Sequence, residues 1–200
     1  RNIGDCKIGY ATSPDGKIWT KYSSNPVMDA GPQGSWDSRG VGVANISKLG
    51  VQEYIIYYTG YSGTGLSIIA KIGRAESSDG INWVNRSLLM DVGPTGSWDG
   101  RTVGGPFVLN EPTGVSRMWY TGVDADLKAR IGLAINYRTI KAALADASAT
   151  GDTILVHRGT DTGQLVVDKS VVIRAFTGPT ETIIDAAGST DVITNGSYPA

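Results

Sequence analysis

The sequence predicts an all-β protein built on a repeated four-stranded antiparallel unit, with a change of architecture near residue 137. Three observations predict it. First, long phrases occur twice: Ile8-Gly9-Tyr10-Ala11-Thr12-Ser13-Pro14-Asp15-Gly16-Lys17-Ile18-Trp19 returns as Ile72-Gly73-Arg74-Ala75-Glu76-Ser77-Ser78-Asp79-Gly80-Ile81-Asn82-Trp83. Met28-Asp29-Ala30-Gly31-Pro32-Gln33-Gly34-Ser35-Trp36-Asp37-Ser38-Arg39 returns as Met90-Asp91-Val92-Gly93-Pro94-Thr95-Gly96-Ser97-Trp98-Asp99-Gly100-Arg101, a period of about 62 residues. Second, 27 glycines against only 18% charged residues favour short strands and tight turns over helices. Third, the repeat stops after Asn136, where an amphipathic helical pattern replaces the expected hairpin.

The strands of one unit follow in order. Arg39 to Ile46 alternates apolar and small residues, and Glu53 to Thr59 is dense in strand formers (Tyr54-Ile55-Ile56-Tyr57-Tyr58). Ile68 to Ala75 and Trp83 to Met90 flank a turn at Ser78-Asp79-Gly80, where glycine accepts positive φ and aspartate folds onto the backbone. The second copy offers Arg101 to Leu109, Ser116 to Thr121 and Ala129 to Ile135, and its Trp119-Tyr120-Thr121-Gly122 matches Tyr57-Tyr58-Thr59-Gly60. The residues before Asp29 supply the last two strands of an earlier unit. Four antiparallel strands per unit with a break between units describe a propeller blade. Residues 1–136 therefore read as a partial propeller: the end of one blade, one full blade and most of a third.

Ser-x-Asp-Gly-x-x-Trp resembles the Asp-box of sialidase-type propellers, one residue tighter, which implies hairpin tips at Asp15 and Asp79. The ordered set Gly-Pro-x-Gly-Ser-Trp-Asp-x-Arg-x-Val-Gly, Tyr-Tyr-Thr-Gly and Ile-Gly-x-Ala-x-Ser-x-Asp-Gly-x-x-Trp resembles the five-bladed propellers of the arabinanase, levansucrase and invertase superfamily over Lys7 to Asn136. These are glycoside hydrolases, which need two carboxylates facing each other across the sugar. The resemblance implies catalytic Asp37 and Asp99, just ahead of the strands that would line the central channel; Trp36 and Trp98, placed in glycine-rich entrance loops, with Arg39 and Arg101 reaching hydroxyls, are the candidate substrate contacts. The same residues have a plainer reading. Both aspartates lie in one Ser-Trp-Asp-x-Arg phrase, which fits a repeated ion pair or turn brace, whereas catalysis wants unlike environments for its two carboxyls. No third-blade acid stands out: Glu111 lies in Asn-Glu-Pro and Glu76 on a hairpin arm. Tyr10, Tyr58, Tyr61 and Trp119 are further aromatics of the kind that stack on sugars or wedge blades together.

In residues 137–200, Ile140, Ala143, Leu144 and Ala147 fall on one helical face, Gly151-Asp152 stops the helix, and a strand begins at Thr153-Ile154-Leu155-Val156. Gln164 to Val167, Ser170 to Arg174 and Thr182 to Asp185 are further strand candidates. Thr-Ile-x-x-Ala-Leu-x-x-Ala, then Gly-Asp-Thr-Ile-x-Val, then Val-Val-x-Lys-Ser-Val-x-Ile-Arg resembles the opening of a right-handed parallel β-helix of the pectin-lyase-like class over Tyr137 to Gly188. That resemblance implies a capping helix and first rungs. Asp152, Asp168 and Asp185 read as turn or rung-corner residues.

Composition narrows the function classes. A formal charge of −1 gives no footprint for nucleic acid or anionic membrane, and no apolar run approaches a membrane span. One cysteine, Cys6, and one histidine, His157, exclude a disulfide framework and a thiolate- or histidine-rich metal site. No metal ligands and no cofactor are expected, although calcium use cannot be read from the chain. Asn-x-Ser sequons begin at Asn45, Asn85 and Asn195. The opening at Arg1 reads as a mature form or a piece of a larger product. The expected protein is a secreted or cell-surface, carbohydrate-contacting or structural repeat protein without a convincing acid–base pair, more a non-enzyme than an enzyme, and glycosidase-like if it is one. Its partner is a polysaccharide or glycan, and it self-associates through open sheet edges. The alternatives are a glycoside hydrolase or polysaccharide lyase fragment acting through Asp37 and Asp99, and a self-assembling filament or surface-layer protomer.

Overall fold

The computed structural model describes residues 5–112, 115–136 and 140–147, and beyond them the strand segments 150–156, 159–162, 165–167, 170–175, 182–185 and 193–195. His157, Asp168 and the Gln164 end of one expected strand lie outside the described residues. The protein is mostly β, with antiparallel sheets and, among the described residues, one short α-helix. It divides into two compact units, Arg1–Glu111 with Ser116–Ile135, and Pro112–Val115 with Asn136–Ala200.

The first unit opens with a hairpin of β1 (Ala11–Thr12) and β2 (Thr20–Lys21), extended by an antiparallel bridge between Ile8 and Met28. A four-stranded sheet follows in sequential order: β3 (Gly40–Gly50), β4 (Glu53–Ser62), β5 (Ile69–Ser77) and β6 (Val84–Met90). A three-stranded sheet of β7 (Thr102–Asn110), β8 (Ser116–Val123) and β9 (Ala129–Asn136) completes the unit. The strands lie where the residue pattern sets them, within a few residues at the ends. Alternation along each strand sends one set of side chains to each sheet face. On one face of the four-stranded sheet Val41, Ile56, Tyr58 and Ala75 pack with Met28 and the half-buried Ile8. On the other, Ile72, Tyr57, Leu89 and Met90 meet Val103, Val108, Met118 and Tyr120 of the next sheet. Burying a side chain such as Ile72 contributes about 1.5–3 kcal/mol, so these two seams hold the sheets in series.

The first strand of each sheet carries a bulge at the same repeat position, between Gly42 and Asn45 and between Gly104 and Phe107. A bulge leaves ladder donors unpaired. At β7 the preceding sheet takes them: Gly105 N–H donates to Thr59 Oγ1 at 2.9 Å and Val108 N–H to Asn45 Oδ1 at 3.1 Å. The bulge needs positive φ, 62° at Gly105 but 42° at Val43. A β-branched residue is strained there. Val43→Gly is therefore expected to raise the unfolding free energy by about 0.5–1 kcal/mol, the relieved strain exceeding the extra chain entropy of glycine. A urea midpoint that stays put or falls contradicts this.

The two hairpin tips repeat one hydrogen-bond set. Ser13 and Ser77 hydroxyls donate to Asp15 and Asp79 at 3.0 and 2.9 Å, and each carboxylate then accepts the next backbone N–H groups, from Lys17 and Ile18 or from Ile81 and Asn82. The Asn82 and Ile81 amides, with the Asn82 and Ser77 side chains, hold the Asp79 carboxyl far below its ordinary 3.8. A depressed folded value stabilises above the unfolded pKa and ceases to do so as pH falls through the folded one. Asp79→Asn is thus expected to flatten the loss of thermal midpoint as pH drops below about 4; an acid limb identical to wild type sinks this assignment.

In the second unit α1 (Ile140–Asp146) buries Ile140, Ala143 and Leu144, and its cluster includes Ile154, Val156, Val171 and Ile173. Six strands then pair in parallel: β10 (Thr150–Val156) with β13 (Ser170–Ala175), β11 (Gly159–Thr162) with β14 (Thr182–Asp185), and β12 (Leu165–Val167) with β15 (Ile193–Asn195). Each strand thus meets the third one after it. The expected stop at Gly151-Asp152 is corrected: both residues fall inside β10, where the register slips between Thr150 and Thr153.

Candidate functional site

Each propeller-type sheet is entered through a glycine-rich loop that ends in Trp-Asp. The loop closes on itself because Gly31 N–H donates to Asp37 O at 3.0 Å and Ser35 N–H to Pro32 O at 3.0 Å. Gly93, Asp99, Ser97 and Pro94 repeat this at 3.1 and 3.0 Å. The Asp37 carboxylate takes the Ser35 hydroxyl on Oδ1 at 2.7 Å and the Tyr58 hydroxyl on Oδ2 at 3.0 Å. Asp99 takes Ser97 at 2.8 Å and Tyr120 at 3.1 Å. Burial first, and then the carboxylate charge beside them, push both tyrosine hydroxyls well above their usual 10.

The two sites differ in one respect. Asp37 is 2% exposed and has a cation, Arg86 Nη1 at 3.5 Å, supplied by β6, the fourth strand of its sheet. Arg86 also donates to the Asp29 carbonyl. The sheet behind Asp99 has three strands, and Asp99 is half-buried. The asymmetry thus comes from the sheet, not from the loop. Ion pairing within the Asp-x-Arg phrase is corrected: Arg39 reaches Asp5 at 3.7 Å and the Gly63 carbonyl at 3.0 Å, while the cation on Asp37 comes from a distant strand. Arg101 is exposed, and its backbone N–H donates to Val123 O at 3.0 Å, as Arg39 does to Tyr61 O.

Trp36 and Trp98 turn inward. Trp36 lies 5.5 Å from the Tyr58 ring, and its six-membered ring fills the room over Gly60 and Gly73, where added Cβ atoms would stand 2.2 and 2.0 Å from it. Trp98 repeats this against Tyr120 at 5.5 Å and over Gly122 and Gly132 at 2.4 Å each. These four glycines are required by contact: any side chain would collide with an indole. Tyr58, one of the aromatics considered for sugar stacking, is fully buried, whereas Tyr10 and Trp119 keep 37% and 36% exposure. Tyr58, Tyr120 and Arg86 are the contacts that sequence reasoning did not assign. The two tyrosines were signalled by their place in the repeated Tyr-Thr-Gly phrase; Arg86 had no repeat to mark it.

An open depression of about 520 Å³ is lined by Lys7, Tyr10, Lys21, Asn25 and Pro26, among others, and by none of the expected site residues. Its Lys7–Asp29 pair recurs as Lys71–Asp91, marking it as part of the repeated scaffold. Among the described residues no group of three acidic, histidine or cysteine side chains could hold a metal ion, and no helix is long and apolar enough to cross a membrane.

No protein-family model matches the chain, and no curated protein does. Among solved structures, a family 117 glycoside hydrolase produced by the marine bacterium Zobellia galactanivorans aligns with a TM-score of 0.54 at 20% identity, over 65% of this chain and 38% of that one. A structure described only as a glycoside hydrolase aligns at 0.49 and 23% identity, over 66% and 36%. A third, from work on glycoside hydrolases of the GH130 mannoside phosphorylase family that target β-1,2 mannosidic linkages in Candida mannan, aligns at 0.47 and 20%, over 64% and 38%. The chain spans little more than a third of the length of these structures. The likeness is one of fold: about two thirds of the chain shares part of the β-propeller fold of the first of these structures.

Proposed function

We propose that this chain is a glycan-contacting segment with a glycosidase-like fold in which Asp37 and Asp99 hold loops in place and cleave nothing. One observation carries the reading: the two carboxylates accept the same pair of hydroxyls, from Ser35 and Tyr58 and from Ser97 and Tyr120, so the two copies share one role. A glycosidase needs two carboxyls that face each other across the sugar, whereas each of these is taken up by a serine of its own loop and a tyrosine of its own sheet. The indoles of Trp36 and Trp98 are spent on sheet glycines, which leaves Tyr10 and the arginines at the loop ends as the sugar-facing groups. A glycan partner is supported by the fold and by the mannan named for one structural neighbour. A secreted or cell-surface setting belongs to the same proposal. Affinity electrophoresis through gels cast with mannans, arabinans and pectins tests it: retardation by at least one polysaccharide without release of reducing ends is expected, and unretarded migration in all of them sinks it.

A second reading, a glycoside hydrolase fragment acting through Asp37 and Asp99, is favoured by the fold neighbours and by the short share of their length that this chain spans. Release of reducing ends by the wild-type chain would select it. For the second unit we read the opening of a pectin-lyase-like parallel β-helix. Its support is the pairing of each strand with the third one after it, together with the apolar cluster under α1. Self-association through open sheet edges is part of the proposal, since β9 ends its sheet.

A further inference from the structure

The outer face of the three-stranded sheet is more apolar than the repeat requires. Phe107, Leu109, Trp119, Ile131 and Leu133 all point to it, away from Val103, Met118, Tyr120 and Ala134, which fill the seam with the preceding sheet. Phe107 and Trp119 are opposite each other in the ladder, with ring centroids 6.2 Å apart. Repeat alignment shows what this face is. Its counterparts on the four-stranded sheet are Asn45, Ser47, Tyr57, Ile72 and Arg74, and that face is covered by the next sheet. Ile72 is 0% exposed there; Ile131, in its place, is 70% exposed.

Were this face meant for water, the polar counterparts would be kept or multiplied. Instead Asn45 becomes Phe107, Ser47 becomes Leu109, Arg74 becomes Leu133 and Glu76 becomes Ile135. Apolar residues collected on an open face mark an interaction site. The loss of Asn45 matters as well, since in the preceding sheet its side chain takes a backbone donor of the incoming blade. The occupant of the new face is therefore held by apolar packing and not by the tie that joins the blades.

We infer that this face pairs with the same face of a second copy of the chain, sheet on sheet across a two-fold axis. Three observations favour that occupant. The interface is continuous in kind with the one already present in the molecule, a sheet face packed on a sheet face, which suits two layers about 10 Å apart. The face carries no unanswered charge: Arg117, the basic residue beside Trp119, pairs with Glu111. A neutral patch meets its own copy without like-charge repulsion, as a two-fold contact demands. Depletion of charge at an aromatic and aliphatic centre is also the mark of homodimer cores. This pairing is of faces, and so is separate from strand addition at the β9 edge.

Sedimentation velocity and light scattering on the full chain across a concentration series test it. The expected particle has twice the 21.1 kDa chain mass. The variant Phe107→Asn, Leu109→Ser, Leu133→Arg installs the residues the preceding sheet already tolerates, and should weaken the dimer by at least about a hundredfold with circular dichroism unchanged. The control Ile46→Ser, on the opposite face of the four-stranded sheet, should leave the dimer intact. A monomeric wild type overturns the inference, whether the face is then left to water or taken by another partner. So does a triple variant that dimerises as well as wild type, because association would then run through an edge. If the triple variant fails to fold, Phe107→Asn alone replaces it with the same two outcomes.

Discussion

Asp37→Ala is expected to lower the unfolding free energy by about 3–5 kcal/mol, and Asp99→Ala by about 1–3 kcal/mol. The first removes a buried carboxylate and leaves three donors behind it: the Ser35 and Tyr58 hydroxyls and the Arg86 guanidinium. Breaking one side of a buried pair strands the other charge, which costs more than the pair itself contributes. The second strands only two neutral hydroxyls in a half-buried setting, Ser97 and Tyr120. The order of the two effects is the informative part. It follows from β6 alone, because the loops are the same. Urea titrations of both variants check it; equal losses, or a larger loss for Asp99→Ala, would show that Arg86 contributes nothing to the brace.

The second large effect lies at the indole clamp. Trp36→Ala should cost about 3–5 kcal/mol by emptying the space between Tyr58, Gly60 and Gly73. Gly73→Ala should cost about 2–4 kcal/mol for the opposite reason. Its new Cβ would stand 2.0 Å from Trp36 Cη2 and 3.0 Å from the Ser87 carbonyl, and the carbonyl belongs to a sheet strand that cannot retreat. The two changes share one volume, so they cannot add. The double variant, in which the methyl group moves into the vacated indole space, should be less destabilised than the sum by about 1–3 kcal/mol. Simple additivity in a double-mutant cycle would mean that Trp36 does not occupy the space over Gly73.

Much of the first unit could be read from residues because the same physics was written twice. Ser77 and Asp79 behave as Ser13 and Asp15 do, and a local hairpin needs only local donors and acceptors. The strand from Glu53 to Thr59 was equally plain, since Tyr54-Ile55-Ile56-Tyr57-Tyr58 is an unbroken run of strand formers. What escaped was non-local. Tyr58 was considered as a sugar platform, yet its hydroxyl is turned onto Asp37, a partner 21 residues away. Arg86 reaches Asp37 from 49 residues away, and nothing in Asn-Arg-Ser announces it. The bulge at Val43 is invisible in a string that reads as an ordinary strand, although Gly104-Gly105-Pro106 marks its counterpart. In the second unit, Gly159–Thr162 and Ile193–Asn195 escaped because short polar strands carry no periodicity. They are strands only through their parallel partners. The residue pattern singled out the two Trp-Asp loops, but the contacts of their aspartates and tryptophans were fixed by the sheets around them.

The most direct measurement pairs the urea midpoint with reducing-sugar release for wild type, Asp37→Asn and Asp99→Asn on the same polysaccharides. If the duplicated carboxylates are braces, both midpoints fall, that of Asp37→Asn further, and none of the three proteins releases reducing ends. Turnover by wild type that disappears in Asp99→Asn while the midpoint stays at the wild-type value would contradict the bracing role outright.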